Sequence, residues 1–171
     1  MYTDPSPEAI EQTRQLLTTL EPGKLPLSLF NEVARLTVTP VVEVVPLSRK
    51  PTGSITVWLG KRPDDDPNWP GMLYVPGTIV LPTDTKDDFS DATERVLTAK
   101  LASVQATRPV FVQNMFCKAK RGAEAALVYY TEIADGSAFG HPYDTQDLPK
   151  TLIEGHAQFI QAAVTKFSGT P

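Results

Sequence analysis

One helical stretch, Ala92 to Leu101, stands alone between two groups of strands, and this placement constrains the chain more than any other feature. Leading into it is Trp69-Pro70-Gly71-Met72-Leu73-Tyr74-Val75-Pro76-Gly77, a short apolar strand closed by a proline-glycine step. Upstream, Val41 to Leu47 is apolar and β-branched, Lys50-Pro51-Thr52-Gly53 supplies a turn, and Ser54 to Gly60 continues as a second strand. Downstream, Val110 to Ala119 and Ala123 to Ile133 read as two strands joined at Lys120-Arg121-Gly122. Asp147-Leu148-Pro149 then introduces a closing helix with Leu152, Ile153, His156, Phe159, Ile160 and Val164 at apolar spacing.

Two helices precede the strands. Ser6-Pro7-Glu8 is a start signal with a hydroxyl cap, proline at the first helical position and an acid in the first turn, and Ile10, Thr13, Leu16, Leu17 and Leu20 follow at helical spacing. Glu21-Pro22-Gly23 stops that helix, and a shorter one is expected from Ser28 to Leu36. The expected organisation is an N-terminal helical extension over residues 1–38 and a main domain over 39–171, the extension covering a sheet face or forming a homodimer contact.

At 171 residues the chain is long enough to build one core of its own. A net charge of −4 argues against a large nucleic-acid surface, which draws on clustered Lys and Arg to displace counterions. The single cysteine, Cys117, excludes an internal disulfide and any zinc site built from cysteines. No run approaches the roughly 20 apolar residues that span a bilayer, and the acidic N-terminus lacks a basic leader, so the expected location is the cytoplasm, away from membranes.

The segment from Trp69 to Gly77 with the helix Ala92-Thr93-Glu94-Arg95-Val96-Leu97-Thr98-Ala99-Lys100-Leu101 resembles the box of the Nudix hydrolase family, with Arg95, Leu97 and Leu101 in register. Val57-Trp58-Leu59-Gly60-Lys61-Arg62 is similar to the strand that precedes the box, and Leu148-Pro149 with His156 looks like the family's C-terminal helix. The resemblance implies an α/β fold of the α+β sandwich type, with a mixed sheet between helices. It also implies magnesium or manganese held by helix glutamates and a nucleoside diphosphate-linked substrate. Here those glutamate positions hold Val96, Ala99 and Lys100, the second loop glycine is Thr78, and the loop is lengthened within residues 83–88. Magnesium wants hard oxygen ligands, which valine and alanine lack, and the Lys100 ammonium would repel it.

The reading is therefore of a degenerate box in a catalytically impaired domain that binds a nucleotide or small phosphorylated metabolite. An active hydrolase with a rebuilt metal site and a purely structural module are the alternatives. Catalytic candidates are Asp84, Glu94 and Arg95, and candidate metal ligands are Asp84, Asp87, Asp88 and Glu132. Asp84 is the nearest counterpart of the loop carboxylate, although a turn-capping aspartate is the plainer reading, and Asp88 reads as the N-cap of the central helix. Arg62, Trp69, Tyr74, Gly77 and Lys100 are the binding candidates, with Trp69 and Tyr74 flanking the loop and Lys100 offering an ammonium to an anion. Lys118, Lys120 and Arg121 read as a solvated hairpin tip, and His141 as a turn residue.

Overall fold

The computed structural model describes residues 4–169. Helices α1 (Pro7–Thr18) and α2 (Leu27–Leu36) come first, then β1 (Val38–Arg49), β2 (Ile55–Lys61), β3 (Leu73–Tyr74), β4 (Gly77–Ile79), α3 (Ser90–Lys100), β5 (Val110–Ala119), β6 (Gly122–Glu132), β7 (His141–Asp144) and α4 (His156–Ser168). The strands form one mixed sheet in the order β3-β2-β1-β6-β5, with β4 paired to β1 and β7 to β2. Its central seam is the parallel pairing of β1 with β6, continuous from Val38↔Ala123 to Leu47↔Glu132.

Residues 41–47 of β1 are buried without alternation because both sheet faces are covered. Val41, Val45 and Leu47 pack on one face beneath Phe159, Ile160, Ala163 and Phe167 of α4. Val42 and Val44 pack on the other, against Ala92 and Val96 of α3. The sheet thus lies between α3 and α4, with the core on the α4 side the larger. At the start of α1, Ser6 Oγ accepts the Ala9 amide at 3.2 Å and Pro7 occupies the first turn, as the sequence predicts.

Helix α2 is held against the β5–β6 turn. Gly122 sits there at φ +145°, and a Cβ on it would collide with the Ala34 carbonyl, so both conformation and space call for glycine.

Three expectations need correction. The N-cap of α3 is Phe89, in the left-handed region at φ 56°, and not Asp88. Phe89 packs against the Val42–Val96 cluster, so ring burial fixes where the helix starts, while Asp88 Oδ1 accepts the Ser90 amide at 3.0 Å. Helix α4 begins at His156, well after Pro149. Leu152 and Ile153 lie in an extended segment beside β3, where the Leu73 amide donates to Thr151 O at 2.9 Å and the Ile153 amide to Leu73 O at 2.9 Å. Their apolar spacing served a strand edge, a pattern that two residues share with a helix. His141 opens β7 and pairs with Leu59 instead of forming a turn. Pro142 is tolerated because β7 is a short edge strand.

Among the described residues no helix is long and apolar enough to cross a membrane.

Candidate functional site

Strand β1 carries one acid amid its valines, Glu43, on the same face as Val41 and Val45. Glu43 lines a cavity of about 500 Å³ between the sheet, the β5–β6 hairpin, the loop after β2 and the start of α4. That volume lies within the range of small-molecule sites, roughly 300–1,000 Å³. Glu43 is 8% exposed, and among the described residues its Oε2 has no hydrogen-bond partner. Burial pushes its carboxyl up to about 8, reinforced by the nearby Glu124 and partly offset by Arg121 and Arg62. The group is therefore mostly protonated at neutral pH.

The pairing Glu43↔Gly77 brings β4 directly against this carboxyl. A Cβ at Gly77 would fall on the Glu43 carboxyl group. The glycine of the Pro76-Gly77 step thus makes room for a neighbouring strand's acid.

Two guanidinium groups border the carboxyl. Arg121 Nε donates to Glu124 Oε1 at 2.9 Å, and its Cζ lies 5.2 Å from the Trp69 ring centroid and 5.5 Å from that of Phe30. Arg62 lies over the Tyr74 ring at 4.6 Å and near Trp69 at 5.8 Å, with Asp66 Oδ2 at 3.6 Å. Asp66 is opposed by burial yet held below the usual carboxylate range by the Trp69 and Asn68 amides and the two arginines. Its Oδ1 accepts those amides at 2.8 and 3.0 Å, which folds the loop and sets Trp69 in the wall. Lys120 Nζ reaches across to Asn68 O at 2.9 Å, tying the hairpin tip to the same loop.

His156 closes the α4 side. Its Nδ1 accepts the Val75 amide at 2.9 Å, which leaves the proton of the neutral ring on Nε2. Burial lowers its pKa to about 3, with Arg62 and Arg121 adding to the effect. Cys117, on the β5 wall, is pushed up to about 11 by burial and by Glu124 and Glu43, and stays a thiol.

The box residues are arranged differently. Asp84 pairs with Arg95, is almost fully buried, and accepts the Leu81 amide at 2.8 Å. The Arg95 hydrogen bond holds its carboxyl below the usual range against the pull of burial. Arg95 also donates to Ile79 O at 2.9 Å, so the pair locks α3 to the loop and to β4. Val96 is fully buried on the α3 face, whereas Ala99 and Lys100 are exposed. Because Val96 and Glu43 belong to opposite faces of the sheet, the cavity does not open on the box helix.

Of the sequence candidates, Arg62, Trp69 and Gly77 line the cavity together. Tyr74 stands behind Arg62, edge-on to Phe139 at 6.2 Å, and Lys100 lies in the exposed last turn of α3. Glu94 is exposed near Lys86, and Asp87 and Asp88 are exposed in the loop. Glu132 sits at the far end of β6 opposite Leu47, so the structure does not gather the four candidate ligands. Among the described residues no group of three or more His, Cys, Asp or Glu side chains is arranged to hold a metal ion. With Asp84 engaged by Arg95 and Val96 in the core, the residues present do not fit the magnesium or manganese cluster that the box resemblance implies.

Glu43, Glu124 and His156 are the site residues that sequence reasoning missed, and Arg121 is half-buried rather than a solvated turn residue. The available signal was an acid inside an unbroken valine run, since charges are seldom buried without a reason.

The fold places the protein. A mutT/nudix family protein from Listeria innocua superimposes with a TM-score of 0.61 at 15% identity, over 77% of this chain and 96% of that one. The NUDIX domain of Shewanella oneidensis NrtR, solved with ADP ribose, gives 0.58 at 16% identity, over 90% and 97%. The C. elegans Ap4A hydrolase gives 0.54 at 11% identity, over 77% and 98%. The chain therefore has the Nudix fold, a seven-stranded mixed sheet between helices. No protein-family profile matches the sequence, and no curated protein matches it significantly.

Proposed function

We propose that this domain binds a nucleotide-like phosphorylated metabolite in the cavity floored by Glu43 and does not hydrolyse it by the metal chemistry usual for the fold. The observation that carries this reading is the convergence of Arg62, Lys118, Lys120 and Arg121 on one cavity in a chain whose net charge is −4. A local cationic rim on an acidic protein selects anions, and guanidinium groups suit phosphate oxygens through bidentate hydrogen bonds. The solved complex of the NrtR domain with ADP ribose supports a ligand of that kind. Against hydrolysis stand the Arg95-bound Asp84 and the absence of a clustered donor set among the described residues.

The test is phosphorus NMR of the protein with a pool of nucleoside triphosphates, dinucleotides, nucleotide sugars and ADP ribose, with and without magnesium or manganese. Selective broadening without new resonances is expected, in the presence or absence of metal. New metal-dependent resonances would overturn the reading in favour of a hydrolase, and uniform silence would overturn phosphate binding itself.

A further inference from the structure

We propose that helix α1 of one copy of this chain packs on the open face of strand β5 of a second copy, and the reverse, so that two copies exchange their N-terminal helices in a symmetric dimer. The dimer does not depend on a bound ligand. Strand β5 is apolar on both faces, and only one of them is covered. Val112, Met115 and Cys117 pack beneath α4. Phe111 and Phe116 pair with Tyr129 and Ala125 of β6, which puts them on the opposite face, together with Tyr129 and Leu127. Helix α3 packs there over β1 and β4. Phe116 is left 65% exposed, and a cavity of about 560 Å³ opens between β5 and the start of α3. A sheet face that carries two exposed phenyl rings lacks its covering layer.

Helix α1 has the converse deficit. Ile10, Leu16 and Leu17 fall within one stripe about 120° wide, yet Leu16 is 69% exposed and no residue of the helix is buried. A helix of 12 residues is marginal in water without a surface to pack on. It is about 18 Å long, and Phe111 to Phe116 spans about 17 Å of strand, so the stripe matches the open face in length.

Area and charge identify the occupant as a second copy. The chain exposes 10538 Å², whereas a compact monomer of 18.7 kDa exposes about 8,300 Å². The excess of about 2,200 Å² is ample for the roughly 800 Å² that each partner contributes to a standard interface. Asp4, Glu8 and Glu11 against Arg14 make the α1 segment acidic, while residues 108–121 hold Arg108, Lys118, Lys120 and Arg121 and no acid. Two α1 helices, or two β5 strands, would meet with like charge. Helix α1 on β5 joins opposite charges.

Sedimentation equilibrium of the full chain at up to about 100 μM should show a species of twice the 18.7 kDa chain mass. Leu16→Glu on the helix and Phe116→Glu on the strand should each weaken the dimer about tenfold or more. Both side chains are exposed, so neither change removes a core contact. Mixing the two variants should restore part of the association, because the mixed pair keeps one intact contact, between the helix of the Phe116→Glu chain and the strand of the Leu16→Glu chain. Amide exchange of the unsubstituted chain supplies a readout that needs no variant, since the α1 amides should exchange more slowly as concentration rises through the dimer range. A monomer throughout, a dimer indifferent to either substitution, a mixture no stronger than the single variants, or α1 exchange independent of concentration would overturn the helix exchange.

Discussion

Replacing Glu43 with glutamine removes a proton equilibrium that works against folding at neutral pH. The wild-type carboxyl has its ordinary value of 4.5 in the unfolded chain and about 8 in the folded one. Below pH 4.5 both states are protonated and the group contributes no pH dependence. Between 4.5 and 8 the unfolded chain releases a proton that the folded chain keeps, so stability falls as pH rises, by about 1.4 kcal/mol per unit. The whole interval amounts to about 5 kcal/mol, and the span from pH 5 to 7 to about 3 kcal/mol. Glutamine has nearly the same shape and does not titrate. Urea denaturation of both proteins at pH 5, 6, 7 and 8 should therefore give a stability difference, variant minus wild type, that rises by about 3 kcal/mol from pH 5 to 7. The opposite slope from His156, whose depressed pKa stabilises the fold as pH rises from about 3 towards 6.5, is common to both proteins and cancels in the difference. Parallel stability curves over pH 5–8 would refute the assignment of a protonated, buried Glu43.

Arg95→Ala strands the buried Asp84 carboxylate and should cost about 3 kcal/mol in urea unfolding, with Asp84→Asn recovering part of the loss in the double variant. Because the Asp84 pKa is lowered in the fold, its stabilising share is present above its ordinary value of 3.8 and is lost on acidification, so the Arg95→Ala defect should shrink towards low pH. Phe159→Ala, under the larger core, should lower stability by about 3–5 kcal/mol without altering the urea m-value. In calorimetric titration with ADP ribose, Lys100→Glu should leave affinity unchanged, because Lys100 lies away from the cavity, whereas Arg121→Ala should weaken it about tenfold or more.

The fold was legible in the sequence where local patterns and packing agree. The Ser6-Pro7 start, the β5–β6 hairpin about Gly122 and the long β1 run all appear where residue chemistry places them. Strands β4 and β7 escaped notice because they are three and four residues long and owe their existence to β1 and β2. The start of α3 was misplaced because an aspartate with good capping chemistry lost to the burial of an aromatic ring one position later. Long-range packing set each of these outcomes, and no window of sequence contains it.

The site was less legible for a related reason. The resemblance to a box points to helix α3, where the expected glutamate positions hold Val96, Ala99 and Lys100. The sheet puts Val96 in the core beneath one face and Glu43 in the cavity on the other. The cavity's own groups are independent of that helix: a buried carboxyl, two guanidiniums whose Cζ atoms lie 5.8 and 5.2 Å from one tryptophan's ring centroid, and a histidine fixed by a backbone amide. Those groups come from β1, the loop after β2, the β5–β6 turn and the first turn of α4. The proposed ligand site therefore draws on a set of residues separate from the α3 positions.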